Sequence, residues 1–175
     1  MTAPPVAPAQ PAAAAHPREL RVKVADFAAA GDGAVIATIG LGSCVAIALH
    51  DARAGVGALA HVLLPDETLS RDAANRAKFA TTAVPLLVEQ VRRLGGRGPL
   101  TAKIVGGASM FAQLLPMGGT NMGARNVEAT LTALAKAGIP LAAQDTGGDH
   151  GRSVFLHVSD GRVVVRSLKK GERVL

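Results

Sequence analysis

Residue types able to perform covalent chemistry are scarce in this sequence, which has one cysteine, Cys44, and five histidines. Cys44 ends the run Gly-Leu-Gly-Ser-Cys and opens an apolar segment, and His61 follows seventeen positions later inside a second apolar segment. A thiol becomes a strong nucleophile only when it loses its proton, so an imidazole within reach would make the pair competent to attack a carbonyl carbon. If the segments beginning at Cys44 and Gly57 pair as a hairpin around Asp-Ala-Arg-Ala-Gly, any register whose paired residue numbers sum to an odd value puts both side chains on one face, roughly 5 to 8 Å apart. Thr38, six residues before Cys44 on the strand entering the turn, offers a hydroxyl or carbonyl to the second ring nitrogen, which would fix the tautomer. Gly40 and Gly42 permit a bend that aims the N–H of Ser43 or Cys44 at a developing oxyanion. The candidate catalytic set is therefore Cys44, His61 and Thr38, with Ser43 as an oxyanion donor. The competing reading is a small buried thiol beside a core histidine, the commoner fate of lone residues of these types.

Other chemistries find less support. The histidines and the cysteine form no C-x-x-C or H-x-x-x-H pair, so a metal is not expected. His16 falls in the N-terminal tail, His50 at a strand end, His150 in a loop and His157 on a strand, and each is expected to be structural. Val-Gly-Gly-Ala-Ser at 105–109 resembles half a phosphate loop but lacks the Gly-Lys-Ser/Thr that would complete one, so Gly106 and Gly107 are read as a tight strand-to-helix turn or a close backbone approach. The net charge of +6 is scattered, and the chain has no Trp or Tyr on which bases could stack. Nucleic acid is not expected as a partner.

These residues need a scaffold. With 49% hydrophobic residues over 175 positions the chain can bury one good core, so a single domain is expected over 19–175. Residues 1–18, mostly Ala and Pro, are expected to be a disordered tail. That tail lacks the basic start and apolar core of a signal peptide, and no apolar run is long enough to span a bilayer, so a cytoplasmic location with a reduced thiol is expected.

Strands are predicted over "LRVKVADF", "GAVIATIG", "CVAIALHD" and "VGALAHVLLP", the third with a short buried helix as its alternative. A helix is predicted over 75–94, containing Pro85 and facing inward with Phe79, Ala83, Leu86, Leu87, Val91 and Leu94. After a strand at "TAKIVGG" come a brief helix through "ASMFAQLL" and a helix over 124–137 with Val127, Leu131 and Leu134 inward. A strand at "IPLAAQ", a polar loop "DTGGDHGR" and a hairpin turning at Asp160-Gly161 complete the chain. Strands in runs with helices between some of them predict an α+β fold, a mixed sheet or β-sandwich with helices packed outside.

Four stretches then carry a family resemblance: "TIGLGSCVAIALHD", "GALAHVLLP", "KIVGGASMF" and "GARNVEATLTALAKAGIPLAAQDTGGDHGRSVFLHVSDGRVVV". In order, over about 20–168, they resemble the bacterial chemotaxis protein CheD, the chemoreceptor glutamine deamidase. The resemblance implies hydrolysis of glutamine side-chain amides in the cytoplasmic domains of methyl-accepting chemoreceptors, giving glutamates that can be methylated. It implies Cys44 as nucleophile, His61 as base and Thr38 as the third member, with no cofactor. It also implies a fold similar to toxin glutamine deamidases, and a possible partner in the phosphatase CheC, which some members of the family bind. His50 stands where the family often has an aromatic residue, and Phe79 where Tyr is common. A non-catalytic adaptor for receptor or phosphatase is the alternative function; a methylesterase side activity is a third.

Overall fold

The structure is a computed structural model that describes residues 17–31, 33–109 and 121–175. All but the last two residues of the expected tail lie outside this range, as do Asp32 and most of the short helix expected at 108–115. Among these residues ten strands form two five-stranded sheets. The first has the order β1 (Glu19–Val22), β3 (Val35–Leu41), β8 (Arg152–His157), β9 (Val163–Ser167), β10 (Gly171–Val174). The second has the order β2 (Phe27–Ala30), β5 (Val56–Val62), β4 (Val45–Asp51), β6 (Thr101–Gly106), β7 (Leu141–Thr146). Both are mixed, with β1 parallel to β3, β6 parallel to β7 and the remaining pairs antiparallel.

Two apolar layers hold this together. The strand period of two divides β4 and β5, all of whose residues are buried, into opposite faces. Val45, Ile47, Leu49, Ala58, Ala60 and Val62 point outward to helices α1 (Ala80–Arg93) and α2 (Met122–Lys136), joined there by Val84, Leu87 and Leu134. Ala46, Ala48 and Leu59 point inward and pack against Ile36, Val154, Leu156 and Val165 of the first sheet. Each fully buried Leu or Ile contributes about 1.5–3 kcal/mol relative to exposure. Among the described residues the molecule is thus the expected β-sandwich with helices outside, α1 and α2 both lying on the second sheet. Burial on both faces is why β4 and β5 read as continuous apolar runs with no alternation to exploit. Among the described residues no helix is long and apolar enough to cross a membrane.

Several local expectations are corrected. "LRVKVADF" is not one strand: a turn at Lys23–Asp26, with Ala25 at φ 58°, sends β1 to one sheet and β2 to the other. The helix expected from 75 begins at Ala80, because Asn75 caps a separate 3₁₀ turn and Phe79 is extended. Leu94, expected inside, is the C-cap and 48% exposed. In α2 the buried stripe is Gly123, Asn126, Thr130 and Leu134, while Val127 is half-buried and Leu131 exposed. A search for apolar periodicity misses a stripe half of which is polar. Of the paired bend glycines, Gly40 has φ +81° and Gly42 has no positive φ. β10 was not anticipated.

Gly123 shows how tightly α2 seats on the sheet. A Cβ there would lie 2.4 Å from the Gly107 carbonyl oxygen and 2.7 Å from that of Ala108, both backbone atoms unable to move cheaply. Helix propensity alone favours alanine by about 1 kcal/mol. Gly123→Ala is nevertheless expected to lose about 1–3 kcal/mol in urea denaturation, because overpacking wins; equal or higher stability would show that the helix does not depend on this close approach.

Candidate functional site

The nucleophile candidate sits where β3 hands over to β4. After Thr38 the β3–β8 ladder shifts register, and Ile39 and Gly40 bulge outward before Leu41 rejoins opposite Arg152. A bulge of this kind bends its strand. Residues 42–44 then form the turn, with Cys44 half-buried at its end. β4 and β5 pair as Val45↔Val62 and Ala46↔His61, a register whose residue numbers sum to an odd value. Extending it one step sets Cys44 in line with Leu63 and diagonal to His61, on the face that looks into the sandwich. Diagonal neighbours lie about 7 Å apart, within reach once side chains lean together.

His61 is fully buried, and its imidazole is oriented from the opposite sheet. Thr38 Oγ1 lies 2.8 Å from the Val22 carbonyl oxygen and 2.7 Å from His61 Nδ1. The hydroxyl has one hydrogen, and a carbonyl can only accept, so the threonine donates to Val22 and His61 Nδ1–H donates to the threonine. That chain leaves Nε2 as the bare, basic nitrogen. It is buried and has no hydrogen-bond partner among the described residues, so no bond yet joins it to the thiol. Hydrogen bonds of this kind are often long before substrate arrives.

Burial sets both protonation states. It lowers the His61 pKa from 6.5 to about 4, so the ring is neutral at neutral pH. Burial also pushes the Cys44 thiol up, an effect opposed by its own backbone N–H. The resting pair is a neutral thiol beside a neutral base, not a thiolate–imidazolium ion pair.

The turn itself is held from behind. Gly107 N–H donates to the Cys44 carbonyl at 2.8 Å, and Ala108 N–H to that of Gly42 at 2.8 Å. Gly106 and Gly107 have φ +119° and +67°, and a Cβ on Gly106 would lie 2.2 Å from the Cys44 oxygen. Of the two roles read for this glycine pair, close backbone approach is the one seen here, and the helix expected to follow it lies mostly outside the described residues. Apart from the Cys44 sulfur itself, no described residue accepts a hydrogen bond from the N–H of Ser43 or Cys44. Because the Gly42 carbonyl and the Ser43 N–H share one planar peptide, fixing the first aims the second the opposite way.

Sequence reasoning missed Asn126, a fully buried amide on α2 whose Nδ2 donates to the carbonyls of Ser43 and Leu63 at 2.9 and 3.1 Å. The available signal was its place on one helix face between Gly123 and Thr130. His50 is a buried residue whose Nε2 lies 2.9 Å from the Val158 carbonyl, and it belongs to the scaffold. A groove of about 640 Å³ between α1 and α2 contains none of Cys44, His61 or Thr38.

Comparison with known proteins places the chain in a family. Residues 63–167 match the family described as CheD chemotactic sensory transduction, a stretch that begins two positions after His61. The chain is 44% identical over 154 residues to the chemoreceptor glutamine deamidase CheD of Thermotoga maritima, covering 87% of this chain and 94% of that protein. It is 40% identical over 157 residues to a probable chemoreceptor glutamine deamidase CheD of Caldanaerobacter subterraneus, covering 89% and 97%. A third relative, from Geobacter metallireducens and named a probable chemoreceptor glutamine deamidase CheD 2, is 42% identical over 153 residues, 86% of this chain and 94% of that one. With most of both sequences aligned at this identity and the family match spanning more than half of its length, the chain belongs to the CheD family.

Proposed function

We propose that this protein is a protein-glutamine deamidase acting on the cytoplasmic domains of methyl-accepting chemoreceptors in chemotaxis adaptation. The observation that carries the reading is the hydrogen-bond chain from His61 Nδ1 through Thr38 to Val22, which leaves a bare imidazole nitrogen on the Cys44 face. The names of the relatives supply the substrate class.

The chemistry follows from those groups. His61 Nε2 takes the proton of Cys44, and the thiolate adds to the side-chain amide carbon of a glutamine, forming a C–S bond and placing negative charge on the oxygen. The N–H groups of Ser43 and Cys44 hold that charge. The imidazolium gives its proton to the nitrogen, the C–N bond breaks, ammonia leaves and a thioester remains. The same imidazole deprotonates water, which attacks the thioester; glutamate forms and the thiol recovers its proton. Thr38 carries no proton in this cycle. It keeps the ring in the tautomer that makes Nε2 the base. Each step uses a group of this chain, the substrate or water, so no metal or organic cofactor enters the scheme.

Mass spectrometry of a glutamine-containing receptor cytoplasmic domain tests the activity. Wild type is expected to add about one dalton per target glutamine as –NH₂ becomes –OH, with ammonia released, and folded Cys44→Ala to do neither. Equal mass gain with both proteins would end the mechanism, and receptor capture without mass gain by either would favour the adaptor.

Thr38→Val keeps the shape and removes the hydroxyl. It is expected to lower kcat by about 10- to 100-fold with KM near the wild-type value, and Thr38→Ser to recover most of the loss. Unchanged turnover in Thr38→Val would take this residue out of the site.

The pH profile carries a further expectation. The neutral form of His61 is the base, and its folded pKa is depressed, so the base is present above about pH 4 and lost as pH falls through that value. The acid limb of kcat/KM is therefore expected well below the pH of about 6.5 at which an exposed histidine titrates. A limb at the ordinary histidine position would show a solvated ring.

A further inference from the structure

We propose that Asn126 is a positioning residue that holds the peptide group supplying the oxyanion N–H of Cys44. The inference deepens the deamidase reading and rests on its nucleophile.

Asn126 lies on the buried stripe of α2 and is 0% exposed. Its two nearest polar neighbours, the Ser43 and Leu63 carbonyls, can only accept, so the side-chain nitrogen must face them and both of its hydrogens are spent. Its Oδ1 is consequently left buried with no partner among the described residues. A buried carbonyl left unmatched has given up its hydration for nothing in return, which destabilises the fold. Thr130, on the same stripe, avoids this by donating to the Asn126 backbone carbonyl at 2.7 Å. A helix shaped for stability alone would place an apolar residue at 126, so the unmatched amide points to a role at the groups it does touch.

Those groups flank the chemistry. Ser43 precedes the nucleophile and Leu63 lies two positions past the base. The β4–β5 ladder stops at Val45↔Val62, and the Leu63 N–H donates instead to the Lys78 carbonyl at 3.0 Å. Beyond that point no ladder hydrogen bond ties the two segments, and the Asn126 amide bridges them. The Ser43 carbonyl and the Cys44 N–H belong to one planar peptide unit and point in opposite directions. Fixing the carbonyl toward α2 therefore aims the Cys44 N–H away from it, as Ala108 does for the Ser43 N–H through the Gly42 carbonyl. An oxyanion donor works only if its direction is set before charge develops.

Two probes of Cys44 separate this role from general loosening. p-Nitrophenyl acetate acylates the thiol through a tetrahedral oxyanion: the C–S bond forms, p-nitrophenolate leaves and His61 takes the thiol proton. Iodoacetamide alkylates the same sulfur by displacing iodide, with no oxyanion. In folded Asn126→Leu, acylation is expected to slow by about 10- to 100-fold while alkylation keeps its rate and pH profile. Asn126→Asp, of nearly the same size, replaces the donor by an acceptor. It is expected to show the same split, narrowing as acid protonates the new carboxyl, and it serves if the leucine variant does not fold. Unchanged acylation, or acylation and alkylation falling together, would overturn the inference. Neither probe needs a receptor, so a wild type that leaves receptor glutamines untouched would defeat the deamidase reading while this result stood on its own.

Discussion

One hydroxyl hydrogen organises the site. Thr38 can give it to a single acceptor, and the Val22 carbonyl takes it, so the threonine oxygen must receive a hydrogen from His61. The tautomer of the ring, and with it the position of the basic nitrogen, is settled by a carbonyl on β1, two residues removed from the chemistry. Threonine and carbonyl sit on adjacent strands of the first sheet, at the paired positions Val22↔Thr38, while imidazole and thiol belong to the second. The relay therefore crosses the space between the sheets and exists only when the sandwich is closed.

That location explains the electrostatics as well. In the apolar layer the charged forms of both groups are disfavoured, which raises the thiol and lowers the imidazole. A pair held neutral in this way does not store a thiolate that oxidants could attack at rest; in the mechanism proposed above it forms one when a substrate carbonyl is present to accept the charge. The small residues Ala46 and Ala48 on the inner face of β4 leave room for this arrangement, where larger side chains would hold the sheets apart.

Behind the turn, backbone groups do the positioning and glycine makes it possible. Gly106, Gly107 and Gly123 lie where any side chain would strike backbone or a packed valine, so β6, the turn and the start of α2 interlock with almost no space between them. Three successive carbonyls, of Gly42, Ser43 and Cys44, are each held by a donor from this packed unit. The carbonyls are turned toward that unit, and the amides of Ser43 and Cys44 have no acceptor on any other described residue.

Much of this was legible in the order of residues, and for definite reasons. A strand has period two, so the parity of a hairpin register is enough to place Cys44 and His61 on one face, and the glycine runs mark where the backbone must turn or approach closely. The apolar runs likewise announced β4 and β5, and their order with the helices announced a layered α+β fold. What stayed hidden depended on partners distant in the chain. The break at Ala25, which sends β1 and β2 to different sheets, leaves no apolar signature. The inner face of α2 includes Asn126 and Thr130 because they meet backbone carbonyls there, and hydrophobic periodicity is blind to that. The chain's own sequence determined which chemical groups were available and which faces they could share, because those follow from local geometry. Only the tertiary structure decided which nitrogen of His61 is basic and which way the Cys44 amide points, because the first is set through the Thr38 hydroxyl, 23 residues from His61, and the second through the Asn126 amide, 83 residues from Ser43.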